Sequence, residues 1–273
     1  MAEKKKHKIV SASTGKEVKA GAESAKKPVV RQAAPVGNAG ALRAGAVILW
    51  VVALLFEVLA FLVLYGKVNL QFMPTLWQLI GFLVLDLVCV VIGSQLWKKA
   101  NHIKPASEES PLKFWLWNNM GVIASIICFM PIIILILISK DIDKKTKTIA
   151  SIVAIVALLV GGAAGYDWNP VSQEQQKAAV EVLGDGEVYW APFGHVYHTH
   201  DDCGALNRSD VLTKGTVEEA IASNRTRLCS FCAKRDHIHG VATDDVDVSD
   251  YVPEDEPEDE AETEAEPEAE ATK

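Results

Sequence analysis

The sequence predicts an all-α transmembrane bundle of four helices joined to a small α+β module, with a disordered segment on either side. Three observations carry that expectation. Four apolar runs lie between Ala44 and Gly165, a dense stretch of turn, strand and capping signals follows Glu187, and charge is segregated along the 273 residues, basic early and acidic late. The formal net charge of −8 is therefore a sum over unlike parts and describes no single surface.

Residues 1–43 open with MAEKKKHK and carry further cations at Lys26, Lys27 and Arg31. They hold too little apolar surface to offset the entropy of ordering, so the segment reads as a basic disordered tail. The basic stretch is too long, and the apolar run after it too long, for a cleavable signal peptide. Such a tail orients a membrane protein and is drawn to anionic lipid. No aromatic residue is interleaved with its cations, which argues against base stacking on nucleic acid.

Residues 44–165 contain the runs AGAVILWVVALLFEVLAFLVLYG, PTLWQLIGFLVLDLVCVVIGSQLW, WNNMGVIASIICFMPIIILILIS and IASIVAIVALLVGGAAG. A bilayer core of about 30 Å needs about 20 apolar residues in a helix. The first three runs meet that length, and the fourth, at about 17, sits at its lower limit. Each is apolar all round, which excludes a water-facing side. Trp77, Trp97, Trp115 and Trp117 fall near run ends, where interfacial anchors sit, and Trp50 lies deeper and packs inside. Pro131 is expected to kink the third helix, and the GGAAG end of the fourth suits close helix packing.

Cations orient the bundle. The early tail and the loop with Lys98, Lys99, Lys104 and Lys113 outweigh Lys67 on one side and Lys140, Lys144, Lys145 and Lys147 on the other. This favours a cell-membrane protein with a cytoplasmic N-terminus and, after four crossings, a cytoplasmic C-terminal module; if the short fourth run does not span, the module lies outside instead. Glu57 and Asp86 sit well inside the first two runs, within about one to two helical turns of each other in depth. Acids there must be protonated, partnered or wet. They are read either as neutral groups hydrogen-bonded across the bundle or as a proton or ion path in a small transporter.

Residues 166–186 read as a helical connector, with Asn169-Pro170 as an exit turn and a helix from about Ser172 to Leu183. Ser172 and Gln175 have capping-box spacing, and Gly184 ends the helix.

Residues 187–240 carry the chemistry. Val188–Trp190 and His195–His198 flank Pro-Phe-Gly as in a β-hairpin, and Thr216-Val-Glu-Glu opens a helix over Val217–Ser223. Cys229 and Cys232 are two residues apart, so both thiolates can reach one ion. His198 and Cys203 at the hairpin exit supply two more ligands, and three cysteines with a histidine suit a structural zinc ion. His200 is an alternative fourth ligand, whereas His195, His237 and His239 read as surface residues. A redox role for the Cys-x-x-Cys pair would need a strand–helix frame. With every position filled by protein, none is left for a catalytic water. No other catalytic constellation stands out, so the chain is read as no enzyme.

The string V-Y-x-x-P-x-G-x-V-Y-H-x4-C-x-A-L, then G-T-V-E-E-A-I and R-L-C-x-x-C-A-K-R, resembles a small bacterial zinc-binding module. Its layout is similar to the metal-binding domain of the Ada DNA-repair methyltransferase and covers about 50 residues. The resemblance implies His198, Cys203, Cys229 and Cys232 as ligands. Ada-type domains use four cysteines, one a methyl acceptor, and this chain has three here, so methyl transfer is not implied.

Residues 241–273 end in PEDEPEDEAETEAEPEAEA, a self-repelling acidic disordered tail that could fold back on the basic module. Arg208, Lys214, Arg225, Arg227, Lys234 and Arg235 make that module basic, a solvated surface or a nucleic-acid face. The sequence therefore points to an integral membrane protein presenting a zinc module as a binding or scaffold surface to a protein partner. A small transporter using Glu57 and Asp86, and a membrane-tethered nucleic-acid binder, are the alternatives.

Overall fold

The computed structural model describes residues 8–11, 17–18 and 36–249, apart from 70, 72 and 141. The disorder expected for the rest of the basic segment and for residues 250–273 lies outside the described residues. Among the described residues, four helices are long and apolar enough to cross a membrane. They are α1 (Ala39–Leu64), α2 (Thr75–Ile103), α4 (Met120–Ile138) and α5 (Lys144–Gly165), with the short α3 (Pro111–Asn118) preceding α4.

Local signals explain where these helices begin. The Asn38 side chain accepts from the Ala41 amide to start α1, and Asp143 accepts from Thr146 N at 2.9 Å to start α5. That cap draws Lys144–Thr148 into the helix, so α5 has 22 residues rather than about 17 and is about 33 Å long. The third apolar run is divided at Asn119, whose side chain donates back to Trp115 O at 2.9 Å. Pro131 lies within α4.

The bundle packs on small residues. Ala39, Ala46, Ala53 and Ala60 recur every seventh position along the buried face of α1, where short side chains let α2 lie close. A Cβ at Gly93 of α2 would stand 2.7 Å from the Trp50 ring nitrogen and 3.1 Å from Ala46 O. The α4–α5 crossing is tighter: a Cβ at Gly165 would lie 2.5 Å from the backbone carbon of Gly121. The outward residues Ile48, Leu55, Val58, Ile134, Ile138 and Leu159 are exposed and apolar, as a lipid-facing surface requires.

The rest of the chain forms a second core. Its elements are α6 (Gln173–Leu183), β3 (Val188–Trp190), β4 (Val196–Tyr197), β5 (Val211–Gly215), α7 (Val217–Ala222), β6 (Arg227–Leu228) and α8 (Ser230–Arg235). Both expected capping boxes are formed, Ser172 with Gln175 and Thr216 with Glu219. Within the basic segment are β1 (Lys8–Ser11) and β2 (Glu17–Val18), and one sheet has the order β2-β1-β5-β3. β1 runs parallel to β5, while β3 and β5 are antiparallel. The expected hairpin between β3 and β4 is reduced to one bridge, Tyr189 with His198. The main partner of β3 is β5, whose Val211 and Leu212 are too short an apolar signal to mark a strand in the sequence.

Two boundaries differ from expectation. Val171, Ala179 and Leu183 join the core around Val188, Tyr197, Leu206 and Leu228, so the connector is part of the module. The chain also stays on the module after Gly240: Leu228 N donates to Ala242 O at 2.9 Å and Lys234 Nζ to Val248 O at 2.7 Å.

The glycine contacts make a sharp prediction within three residues. Gly165→Ala should lower the melting temperature of the detergent-solubilised chain, because its Cβ meets backbone that cannot rotate away. Gly162→Ala, with nothing within 4 Å of the new carbon, should be neutral or gain up to about 1 kcal/mol of helix propensity. Equal effects at both positions would contradict the described α4–α5 crossing.

Candidate metal centre

Strand pairing assembles the site from three distant pieces of chain. β4 and β6 lie parallel with Tyr197 opposite Leu228, and Cys229 N donates to Tyr197 O at 2.9 Å. The residues that follow each strand, His198 and Cys229, are thereby brought together. Cys229 is also the residue before α8, which places Cys232 one turn further on the same side. Cys203 stands before the single 3-10 turn Gly204–Leu206, anchored in the core by Leu206.

The result is a buried set of one imidazole and three thiols. One ligand atom from each of His198, Cys203, Cys229 and Cys232 lies within 4.8 Å of all the others. Cys203 Sγ is 4.0 Å from Cys229 Sγ, and Cys232 Sγ is 3.7 Å from His198 Nδ1. A tetrahedral ion with thiolates at about 2.3 Å and imidazole at about 2.0 Å needs edges of roughly 3.8 Å (S···S) and roughly 3.6 Å (S···N). These two edges match within a few tenths of an ångström, and no distance among the four ligand atoms exceeds 4.8 Å. The four residues are placed to hold a metal ion.

Electrostatics fit the same use. Burial works against charge on His198, but hydrogen bonds and charge from Cys229 and Cys232 outweigh it and push the imidazole up to about 9. Hydrogen bonds with Cys203 and Cys229 hold the Cys232 thiol well below its ordinary value. The Cys203 thiol is pushed up by its hydrogen bonds to Cys229 and Cys232, with burial adding to them. A cation placed among these groups replaces the shared protons.

His200 lies outside this set. Its Nε2 is 2.6 Å from Asp236 Oδ1, and Asp236 Oδ2 accepts from Thr199 Oγ1 at 2.5 Å. These contacts tie the loop after His198 to the end of α8. His195, His237 and His239 are exposed. A second support was hidden in the sequence by its acidic surroundings: Asp244 Oδ1 accepts from Ser230 N at 2.7 Å, inside the Cys-x-x-Cys turn.

Glu57 and Asp86 form a separate polar site in the bundle. Asp86 is fully buried and lies within electrostatic reach of Glu57. Both Asp86 oxygens and Glu57 Oε1 have no hydrogen-bond partner among the described residues. Comparison with protein-family models, curated proteins and solved structures finds no match to the chain.

The protonation pattern predicts different pH trends with and without metal. Metal-free, folded His198 keeps a proton that the unfolded chain releases above pH 6.5, a contribution complete below 6.5 and lost as pH rises through about 9. Cys232, held well below its ordinary value, lacks a proton that the unfolded thiol keeps up to about pH 8.5, so its contribution grows with pH over the same range and opposes that of His198. Metal-bound, the imidazole and all three thiols are deprotonated, so stability rises with pH. The melting temperature of the full chain between pH 6.5 and about 8.5 should therefore change little in chelator and rise with pH after metal is added. The same slope in both conditions would argue against a metal on these ligands.

Proposed function

We propose that the chain is an integral protein of the cell membrane that displays a zinc-stabilised module as a binding surface for a protein partner. The observation that carries this reading is the buried His/Cys3 tetrad, whose ligand atoms all lie within 4.8 Å of one another. Three thiolates and an imidazole in that geometry favour zinc over the harder divalent ions. All four positions come from protein, so the role is structural: the ion joins the segments that carry His198, Cys203 and the Cys229–Cys232 turn and adds its binding energy to the folded module. The layout resembles Ada-type and related bacterial modules, without the fourth cysteine that methyl transfer would use. The pairing of β1 with β5 supports a tail and a module on the same side of the membrane, which the lysine distribution makes the cytoplasmic one.

A held aromatic supports the binding role. Phe193, at 96% exposure, is the most exposed large apolar residue described. Its turn is pinned by Arg225, which donates to Ala191 O at 3.1 Å and to Pro192 O. Aromatic side chains, phenylalanine among them, are enriched at protein interfaces relative to the rest of the surface. The nucleic-acid alternative is less favoured, because most of the module's cations are engaged nearby. Lys214 pairs with Glu187, Arg227 with Asp245 and Arg235 with Asp202, while Lys234 donates to Val248 and Ser249 carbonyls.

Metal analysis of the purified full chain should find one zinc per chain. His198→Ala and Cys229→Ser should each lose it, and His200→Ala should keep it. A folded, metal-free wild type would redirect attention to thiol chemistry at Cys229 and Cys232. A partner that co-purifies with wild type should be lost in Phe193→Ser, which leaves zinc bound.

The unpartnered carboxyl oxygens of Glu57 and Asp86 favour a second reading, a proton path through the bundle. Proton flux into liposomes carrying the chain should then be present, insensitive to chelator, and abolished in Glu57→Gln/Asp86→Asn. Flux unchanged in that double variant would remove the transporter reading.

A further inference from the structure

Where α1 begins and α2 ends, the chain forms a cavity of about 450 Å³ lined by Arg43, Lys104, Lys113, Trp117, Ser110 and Glu109. Three cations thus face one carboxylate. We propose that this cavity binds the headgroup of an anionic phospholipid, with the phosphate among the cations and a hydroxyl-bearing headgroup towards Glu109 and Ser110.

Arg43 is pre-arranged for such a ligand. Its guanidinium lies 5.9 and 5.4 Å from the ring centres of Trp97 and Trp117. Its Nη2 donates to Asn101 Oδ1 at 3.2 Å and to Lys104 O at 2.8 Å. Its Nε is buried with no hydrogen-bond partner among the described residues. A guanidinium held beside two aromatic rings and by two hydrogen bonds loses little freedom when it meets a phosphate oxygen. Lys104 and Lys113 are exposed on either side and add charge without that rigidity.

The surroundings point to a lipid rather than to a free phosphate. One and two turns beyond Arg43 on the same face of α1, Val47 and Val51 are exposed, giving an acyl chain an apolar track into the bilayer. On the opposite side α3 exposes Leu112, Trp115 and Leu116 beside Lys113. An apolar helix face with tryptophan next to lysine is the composition of an element lying at the headgroup level. Glu109 repels a second anionic group but accepts hydrogen bonds from hydroxyls, so the favoured class is a phosphodiester lipid with a polyol headgroup.

Native mass spectrometry of the full chain in detergent tests this directly. The probes are phosphatidylglycerol, phosphatidylcholine with the same acyl chains, and soluble glycerol phosphate. Phosphatidylglycerol should bind preferentially, and Lys104→Gln/Lys113→Gln should weaken it by roughly 10- to 30-fold, from the effect of juxtamembrane cations on anionic lipid. Lys144→Gln/Lys145→Gln, the same charge loss at the start of α5, should leave the preference intact. Unchanged zinc content and melting temperature identify folded variants. Equal binding of the two lipids, retention of the preference in the Lys104/Lys113 variant, or its loss in the Lys144/Lys145 variant would overturn the proposal. Glycerol phosphate binding as tightly as the lipid would overturn the lipid assignment.

Discussion

Inside a bilayer there is no water to complete a hydrogen bond, and every polar group on a spanning helix must find its partner within the protein. That constraint organises the bundle. Ser94 and Ser125 donate back to the carbonyls of Val90 and Gly121 in their own helices. The Trp97 ring nitrogen donates to Trp117 O at 2.8 Å, and Asn101 Nδ2 shares that carbonyl at 3.1 Å. Lys98 extends across to Ala164 O at the end of α5. The alanine heptad of α1 and the Gly121–Gly165 crossing bring backbones near enough for such bonds to close. The rule is not met at Glu57 and Asp86, nor at Trp50 Nε1 and Ser151 Oγ, and of these only the two acids can carry charge.

The polar groups at the far end of α2 also join the two cores. His102 Nε2 lies 3.2 Å from Asp167 Oδ2, a buried contact between the last turn of α2 and the turn that leaves α5. Asp167 N donates to Asn119 Oδ1 at 3.2 Å, adding the junction of α3 and α4. Beyond it, Ala106 bridges Ser172 and Gln173 N donates to Ala106 O at 3.0 Å. The module is thus seated on the bundle rather than hung from a linker, because α2 continues past its apolar stretch and carries these partners with it. This seating also shapes the cavity around Arg43.

Within the module, the metal ligands and the core are one structure. Cys203, Cys229 and Cys232 belong to the apolar cluster that contains Tyr197, Leu206 and Leu228. Parallel pairing of two-residue strands is weak by itself, so the β4–β6 register depends on what lies at its end. A tetrahedral ion there ties three chain segments at once, those carrying His198, Cys203 and the Cys229–Cys232 turn. The stretch through Asp244 closes the turn from outside by satisfying Ser230 N.

Much of this was legible in the sequence because it rests on local rules. Apolar run length marked four spanning helices, capping boxes marked α6 and α7, and a two-residue gap between Cys229 and Cys232 marked a chelating turn. The ligand set was readable as residue types, with His198 favoured and His200 two residues on as the alternative. Only the pairing of β4 with β6 turns one inward, while Asp236 holds the other outside. The strand β5, the supporting role of Asp244 and the contact of His102 with Asp167 gave no local signal, since each depends on residues far apart in the chain. What the sequence determined by itself was therefore where the chain is apolar, where helices start and which atoms can bind a metal. The tertiary structure decided which of those atoms meet, because proximity between segments tens of residues apart follows from packing and register rather than from spacing.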